Sequence, residues 1–327
     1  MLYLTSKDIK NLEIPWEKTI NVIEETAKMQ YEQKFSQPIK PYLTFEKSPS
    51  DRIIAMPAYL GGEMELSGIK WIASFPGNHS LGLPRAHSVT ILNNATTGQP
   101  LAVLNTALIS GIRTASVSGS MIKLFNSKRK LENIVVGISG FGPIGRLHIQ
   151  MVHELLGDKV TKFNIYDQHE VSLDQVPKNI TSKVNVVSNW EEAYQNADIF
   201  ITCTTSSEGY IDKAPKKGAL LLNVSLRDFK PVIMDYCDTI VVDDWEEVCR
   251  ANTDIQKMHE VRGLRKEQTI SLAELLYGNT KQIKNEEIMM FNPMGMAIFD
   301  ISVANFYYQR AIDKGCGLSL EEDALLV

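Results

Sequence analysis

The chain holds four cysteines, Cys203, Cys237, Cys249 and Cys316, in 327 residues. They are scattered, without the close pairs of a zinc site or a disulfide framework, so reduced and mostly buried thiols are expected and no metal is required. No segment approaches the ~18 uninterrupted apolar residues of a membrane span. The N-terminal Met1-Leu2-Tyr3-Leu4-Thr5 has neither a basic lead nor a long apolar core. No membrane association is expected, and a cytoplasmic location is. A basic excess is also missing: the net charge is −5, the pI is near 5.8, and the longest basic run is Lys128-Arg129-Lys130. Nucleic acid is therefore not an expected partner. Repeats and low-complexity tracts are absent too. What remains, 44% hydrophobic and 22% charged residues, is ordinary globular composition in a chain long enough for two domains.

The most informative segment is Ile134-Val135-Val136-Gly137-Ile138-Ser139-Gly140-Phe141-Gly142-Pro143-Ile144-Gly145. It reads as a strand running into a glycine turn, followed by Ile144, Leu147, Met151 and Leu155 at helical spacing. Gly140 permits the tight turn, Gly142 lets backbone approach a pyrophosphate, and Gly145 allows close helix packing. With Pro143 and Ile144 these residues open a helix whose N-terminal amides suit negative charge. Asp167 closes the next strand about twenty residues on, where an acid accepts hydrogen bonds from ribose hydroxyls and repels a 2′-phosphate. The pattern predicts NAD rather than NADP.

The fold class is read as α/β. Strands at Ile134–Ile138, Lys162–Tyr166, Val184–Val187, Ile199–Thr202, Ala219–Val224 and Thr239–Val242 make a doubly wound, dinucleotide-binding parallel sheet of six strands. The polar run Cys203-Thr204-Thr205 after the fourth suits a loop beside the cofactor. The first ~112 residues look α+β, with a helix near Pro15–Tyr31 and strands at Arg52–Met56, Gly68–Ile72, Ser88–Leu92 and Pro100–Leu104. Phe75–Pro84 is too rich in turn formers to be regular. A helix runs from Ser110 to Phe125, and another from Ala297 to Arg310 with a Gly315 stop. The division predicted is 1–112 with 302–327 as a substrate-binding domain and 113–301 as the NAD-binding domain. His148 and His153 lie five apart on a helix, too far round to share a metal, and with Glu154 are expected on a solvated surface.

Substrate groups are sought outside the nucleotide domain, among Arg52, Lys70, Arg85 and Arg113. Lys70 stands in the apolar run Ile69-Lys70-Trp71-Ile72. It reads either as a surface lysine on an edge strand or as a charge with a task. Arg113 is followed by Thr114, Ala115 and Ser116, small enough for a cofactor to approach, yet an arginine there also serves to tie domains together. Asp228, in Asn223-Val224-Ser225-Leu226-Arg227-Asp228, follows a strand at the carboxyl edge, where a helix cap or Asx turn and a catalytic acid are both in keeping.

Met56-Pro57, Lys70, Gly111-Ile112-Arg113-Thr114-Ala115, the glycine turn, Asp228 and Met294-Gly295-Met296-Ala297-Ile298-Phe299-Asp300 together resemble the ornithine cyclodeaminase and mu-crystallin family over nearly the whole chain. Gln37-Pro38-Ile39-Lys40-Pro41-Tyr42-Leu43, Asp51–Pro57, Val241–Trp245 and Asn292–Ile298 resemble its diaminopropionate-forming branch. The resemblance implies that Lys70 and Asp228 handle protons, that Arg52 and Arg113, with Arg85, hold substrate carboxylates, and that Thr114, Ser225, Met294 and Gly295 join the turn and the Cys203–Thr205 loop around NAD. It further implies a homodimer joined through the first domain and a small amino-acid substrate. That branch oxidises a tricarboxylate, N-(2-amino-2-carboxyethyl)-L-glutamate. Two departures stand out: Phe299 replaces an acid that many relatives carry, and no acid lies between Arg52 and Pro57, where ornithine enzymes keep one. Cyclodeaminase, ketimine or alanine-type dehydrogenase chemistry and non-catalytic ligand binding are the rival readings.

Overall fold

The computed structural model describes residues 1–278 and 283–320. It divides into two compact units, Met1–Arg113 with Met296–Val327, and Thr114–Gly295.

The first unit opens with β1 (Leu2–Thr5), α1 (Ser6–Asn11) and α2 (Trp16–Tyr31). A capping box between Thr5 and Asp8 starts α1, and α2 buries Trp16, Ile20, Ile23 and Ala27 at helical spacing. Next come β2 (Phe35–Ser36), β3 (Tyr42–Phe45), β4 (Ser48–Leu60), β5 (Leu66–Ser74), β6 (Ala86–Asn94) and β7 (Pro100–Asn105). Helix α3 (Leu108–Arg129) belongs to the first unit through Arg113 and to the second beyond it. The second unit contains β8 (Ile134–Ser139), α4 (Pro143–Leu156), β9 (Val160–Tyr166), β10 (Val184–Val186), α5 (Trp190–Tyr194), β11 (Ile199–Thr202), β12 (Leu220–Asn223), β13 (Thr239–Val242), α6 (Trp245–Val248), α7 (Asp254–Arg262), β14 (Thr269–Ser271), α8 (Leu272–Tyr277) and β15 (Met289–Asn292). The chain re-enters the first unit as α9 (Ala297–Lys314), stopped by Gly315 at φ 61°, and β16 (Leu318–Ser319).

Among the described residues the first unit forms a mixed sheet in the order β16-β1-β7-β6-β5-β4-β2, with β3 on β4. Helix α9 packs on β4, β5 and β6 and against α2. Strand alternation turns Met56, Leu60, Leu66, Lys70, Thr90 and Leu92 to one buried face. Close pairing of β5 with β6 needs Gly68, because a Cβ there would stand 2.4 Å from the Ile91 carbonyl oxygen and 2.9 Å from Ile301 Cδ1 of α9. Lys70 is thus no edge residue: β5 lies between β4 and β6, and the side chain points inward. The Phe75–Pro84 stretch is more regular than its composition suggests, forming a 3-10 turn at Pro76–Leu81 closed by Gly82 at φ 68°.

The second unit is a fully parallel sheet of eight strands among the described residues, not six, ordered β10-β9-β8-β11-β12-β15-β13-β14. The order reverses between β8 and β11, which puts the glycine turn after β8 at the topological switch point. Strand β15, Met-Met-Phe-Asn, enters between β12 and β13 with all four residues buried. Its unbranched methionines lack the β-branched signature of a strand, so only the sheet reveals it. His148 also departs from its expected solvated surface. It is fully buried, with Nδ1 2.8 Å from the Ile144 carbonyl and Nε2 2.9 Å from Ser118 Oγ, because α4 packs this side chain against α3.

On one side of this sheet Phe200 packs edge-on to Tyr194 and Phe229, with ring centroids 4.9 and 6.4 Å apart. A Phe200→Ala substitution is expected to cost about 3–5 kcal/mol through lost burial and the cavity left behind. Urea denaturation of the purified variant measures it; an unchanged midpoint contradicts this packing.

Candidate active site

In the first unit three elements distant in sequence converge on one carboxylate. Asp300 on α9 is fully buried. Its Oδ2 accepts from Lys70 Nζ of β5 at 2.7 Å and its Oδ1 from Arg113 Nε of α3 at 2.9 Å. Lys70 is 2% exposed and also reaches Ser110 Oγ at 3.3 Å. Burial pulls the Lys70 amine from its ordinary 10.5 down to about 7; Asp300 opposes that fall, while the charges of Arg113 and Lys40 assist it. Between those two pH values the unfolded chain holds the extra proton, so stability rises with pH across that window. Near neutrality the folded amine exchanges a proton readily, as a general base must.

Asp300 and Lys40 both lie within the motifs of the family resemblance, which implies no role for either. Lys40 is 4% exposed, and its charge acts on Lys70. The sequence signal available was a lysine between two prolines, too weak to assign by itself. Phe299, beside Asp300, is fully buried. An acid at that position would therefore be desolvated.

Arg52 and Arg85 form a separate pair in the same unit. Arg52 is directly opposite Ser74, four residues along β5 from Lys70, or roughly 13 Å of strand. Arg85 immediately precedes β6, and its carbonyl accepts from Phe75 N at 2.9 Å. Burial lowers the Arg85 guanidinium pKa and the charge of Arg52 adds to the effect, so the two cations feel each other. Arg52 lies over the Tyr42 ring at 5.4 Å, and its Nε is buried with no hydrogen-bond partner among the described residues. Two adjacent guanidinium groups, one with an unmet donor, suit a carboxylate.

In the second unit the turn after β8 has the form a pyrophosphate needs. Gly140 takes φ 91°, and a Cβ there would stand 2.5 Å from the Cys203 carbonyl oxygen. Gly142 is the N-cap of α4 and Pro143 its first residue; no side chain caps the helix among the described residues. Space beside Gly142 is open, since a Cβ would meet nothing within 4 Å. Ile144 and Gly145 continue the first turn of α4. Asp167 accepts from Phe141 N at 2.6 Å and His169 N at 2.8 Å, clamping the turn as well as placing an acid where the ribose is expected. Asp243, which lies in the Val241–Trp245 motif and had no expected role there, accepts from Met294 N at 3.0 Å and Gly295 N at 2.6 Å. These residues fit a dinucleotide. Thr114 lies on α3 and Thr205 is exposed after β11.

Asp228, in the turn after β12, is fully buried. Its carboxylate accepts from the hydroxyls of Thr204 and Ser225. Leu226, two residues earlier, sits at φ 63°, a left-handed conformation costing about 1–2 kcal/mol for a residue with a Cβ. The turn is held by Asp254, whose Oδ2 accepts from Asp228 N, Phe229 N and Asn223 Nδ2 at 3.0–3.1 Å. Burial raises the pKa of Asp228, against the pull of its hydroxyl partners. It also pushes Asp254 up to about 6, with the charge of Asp228 contributing. Cys203 Sγ lies 3.8 Å from His148 Nδ1. Burial drives the thiol pKa up and the imidazole down to about 4, so both stay neutral and form no nucleophilic pair.

Breaking the first unit's charge cluster leaves buried cations uncompensated. Asp300→Asn is expected to lower unfolding free energy by about 3–5 kcal/mol, and Asp300→Asn with Lys70→Met to recover part of it. Chemical denaturation of the three proteins tests this; equal stability of Asp300→Asn and wild type contradicts it.

The sequence pattern of the ornithine cyclodeaminase/mu-crystallin family matches residues 2–315. The chain is 34% identical to N-((2S)-2-amino-2-carboxyethyl)-L-glutamate dehydrogenase of Staphylococcus aureus, over 98% of both chains. Among solved structures, Thermococcus litoralis Delta(1)-pyrroline-2-carboxylate reductase in complex with NADH and L-proline is 26% identical with a TM-score of 0.86, covering 98% of this chain and 100% of that one. An archaeal alanine dehydrogenase dimer with bound NAD is 27% identical with a TM-score of 0.82, covering 98% and 99%. The chain therefore belongs to the ornithine cyclodeaminase/mu-crystallin family.

Proposed function

We propose that the protein is an NAD-dependent dehydrogenase that cleaves N-(2-amino-2-carboxyethyl)-L-glutamate to 2-oxoglutarate and L-2,3-diaminopropionate. The observation that carries this reading is the buried Lys70 amine, poised near neutrality on Asp300 in a unit that adds Lys40, Arg113, Arg52 and Arg85 around the same sheet. Such an excess of cations suits a substrate with three carboxylates and repels ornithine, which has one carboxylate and a further cation. The name of the Staphylococcus aureus relative supports the same substrate.

NAD, when bound at the glycine turn, supplies the hydride acceptor. Asp167 disfavours a 2′-phosphate by its charge. The arginines grip the substrate carboxylates and fix which carbon is presented. Hydride loss from the glutamate Cα leaves an iminium that keeps its N–H, and Lys70, as the neutral amine, takes one proton from the water that adds to the C=N carbon. Asp228 passes a proton through the Thr204 and Ser225 hydroxyls to the departing nitrogen. One water is consumed; the ketone carbon leaves as 2-oxoglutarate and the amine as diaminopropionate. Such a product fits supply of a siderophore or related pathway in the cytoplasm.

A second copy of the chain is proposed to cover the face of the first unit's sheet opposite Lys70. That face carries Ile53, Ala55, Ile69, Trp71, Val89 and Val103 by alternation, and α9 packs on the strands from the other side, where its Asp300 meets Lys70. Trp71 is 42% exposed, a large apolar side chain on an apolar strip. The related alanine dehydrogenase is a dimer.

The reading is tested by mixing protein, NAD and synthetic N-(2-amino-2-carboxyethyl)-L-glutamate and following NADH absorbance with amino-acid analysis. Stoichiometric NADH and diaminopropionate are expected; proline from ornithine, or binding without turnover, overturns it. Turnover should rise with pH through about 7 as Lys70 loses its proton. Lys70→Ala should lower kcat by about 10²–10⁴-fold with NAD affinity nearly unchanged. Trp71→Glu is expected to convert a dimer to monomer in light-scattering chromatography; a wild-type monomer sinks the assembly proposal.

A further inference from the structure

The proposed chemistry uses Asp228 with Thr204 and Ser225 and gives no task to the neighbouring Tyr210. Main chain pins this tyrosine to Asp228: Tyr210 N and Ile211 N both donate to the Asp228 carbonyl at 2.8 Å. The phenol oxygen lies 2.8 Å from Ser139 Oγ, and the Asp228 carboxylate is near enough for its charge to add to burial in raising the phenol's pKa. Trp190 supports the ring edge-on at 5.5 Å between centroids. Burial pushes the phenol's pKa up, so it keeps its proton and acts as a donor. It has one proton to give. If that goes to the carboxylate, Ser139 must donate to the phenol oxygen, forming a directed chain from Ser139 through Tyr210 to Asp228. Ser139 is fully buried and is the last residue of β8, immediately before Gly140.

We infer that Tyr210 is a positioning residue that orients the Asp228 carboxylate and links it, through Ser139, to the dinucleotide turn. The inference rests on the reading that Asp228 moves protons and deepens it: a change at the turn on ligand occupancy is transmitted to the proton carrier by two hydroxyls. The other groups facing Asp228 are the Asp254 carboxylate, the Cys203 thiol and the hydroxyls of Thr202, Thr204 and Ser225; Tyr166 faces the phenol. Tyr210→Phe keeps all of these, together with the Trp190 contact, and removes only the phenol hydroxyl.

The test is a pH titration of the full-length protein labelled with ¹³C at aspartate carboxyl carbons, with the Asp228 signal assigned by its loss in Asp228→Asn. A phenol that donates to the charged carboxylate favours ionisation, so the Asp228 midpoint should move up in Tyr210→Phe, and up by less in Ser139→Ala. Saturating NAD should shift the wild-type midpoint and leave that of Tyr210→Phe in place. A purely packing role predicts no movement of the midpoint, and that result, in variants whose thermal midpoints match wild type, overturns the inference. If the midpoint moves while the wild-type protein fails to oxidise the tricarboxylate, the functional reading falls and the tyrosine's role in holding Asp228 stands. If turnover is present and the midpoint is unmoved, the inference alone falls.

Discussion

A single buried carboxylate, Asp300, reconciles the first unit with the charges it encloses. Placing lysine and arginine side chains out of water costs several kcal/mol per ion unless the geometry returns it. Here the return comes from contacts of 2.7 and 2.9 Å to the two oxygens of one aspartate. Everything that sets this geometry is packing: the register of β5 between β4 and β6, the bare backbone of Gly68 under Ile301, and the seating of α9 on the sheet. The compensation is also incomplete. Burial pulls the Lys70 amine down, the charges of Arg113 and Lys40 assist, and Asp300 only partly opposes them, so the lysine surrenders its proton near neutrality.

The second unit uses acids differently. Asp167, Asp243 and Asp254 each accept from at least two backbone amides, and each fixes a loop at a carboxyl end of the parallel sheet. Amide protons do not exchange on the timescale of turnover, so such carboxylates are scaffolding. Asp228 instead takes its side-chain hydrogen bonds from hydroxyls, which can donate and accept in turn. That contrast in partner type, more than burial, separates the proposed proton carrier from its neighbours.

What could be read beforehand was local. The glycine turn, its preceding strand and Asp167 lie within one short stretch whose spacing is dictated by the phosphate it accommodates, and a lysine flanked by isoleucine and tryptophan stood out against its strand. The partners of those residues were hidden by distance in sequence: Asp300 is 230 residues from Lys70, and nothing in the chemistry of an aspartate on an apolar helix names the strand it will meet. His148 was misjudged because helical spacing reveals which residues share a face, not what packs against it. Strand β15 was missed because the short apolar run Ile288-Met289-Met290-Phe291 carries no period, and a parallel strand buried on both faces needs none.

The return of α9 to the first unit sets an order for biosynthesis. As the polypeptide leaves the ribosome, β4, β5 and β6 emerge more than two hundred residues before the helix that covers them. During that interval Lys70 has no counter-ion and the face later occupied by Ile298, Ile301 and Ala304 has no cover. The second unit, which is contiguous in sequence, can reach its native pairing first. The strands of the first unit stay without their covering helix until the chain beyond the second unit has been made, a long-range dependence that the contiguous second unit does not share.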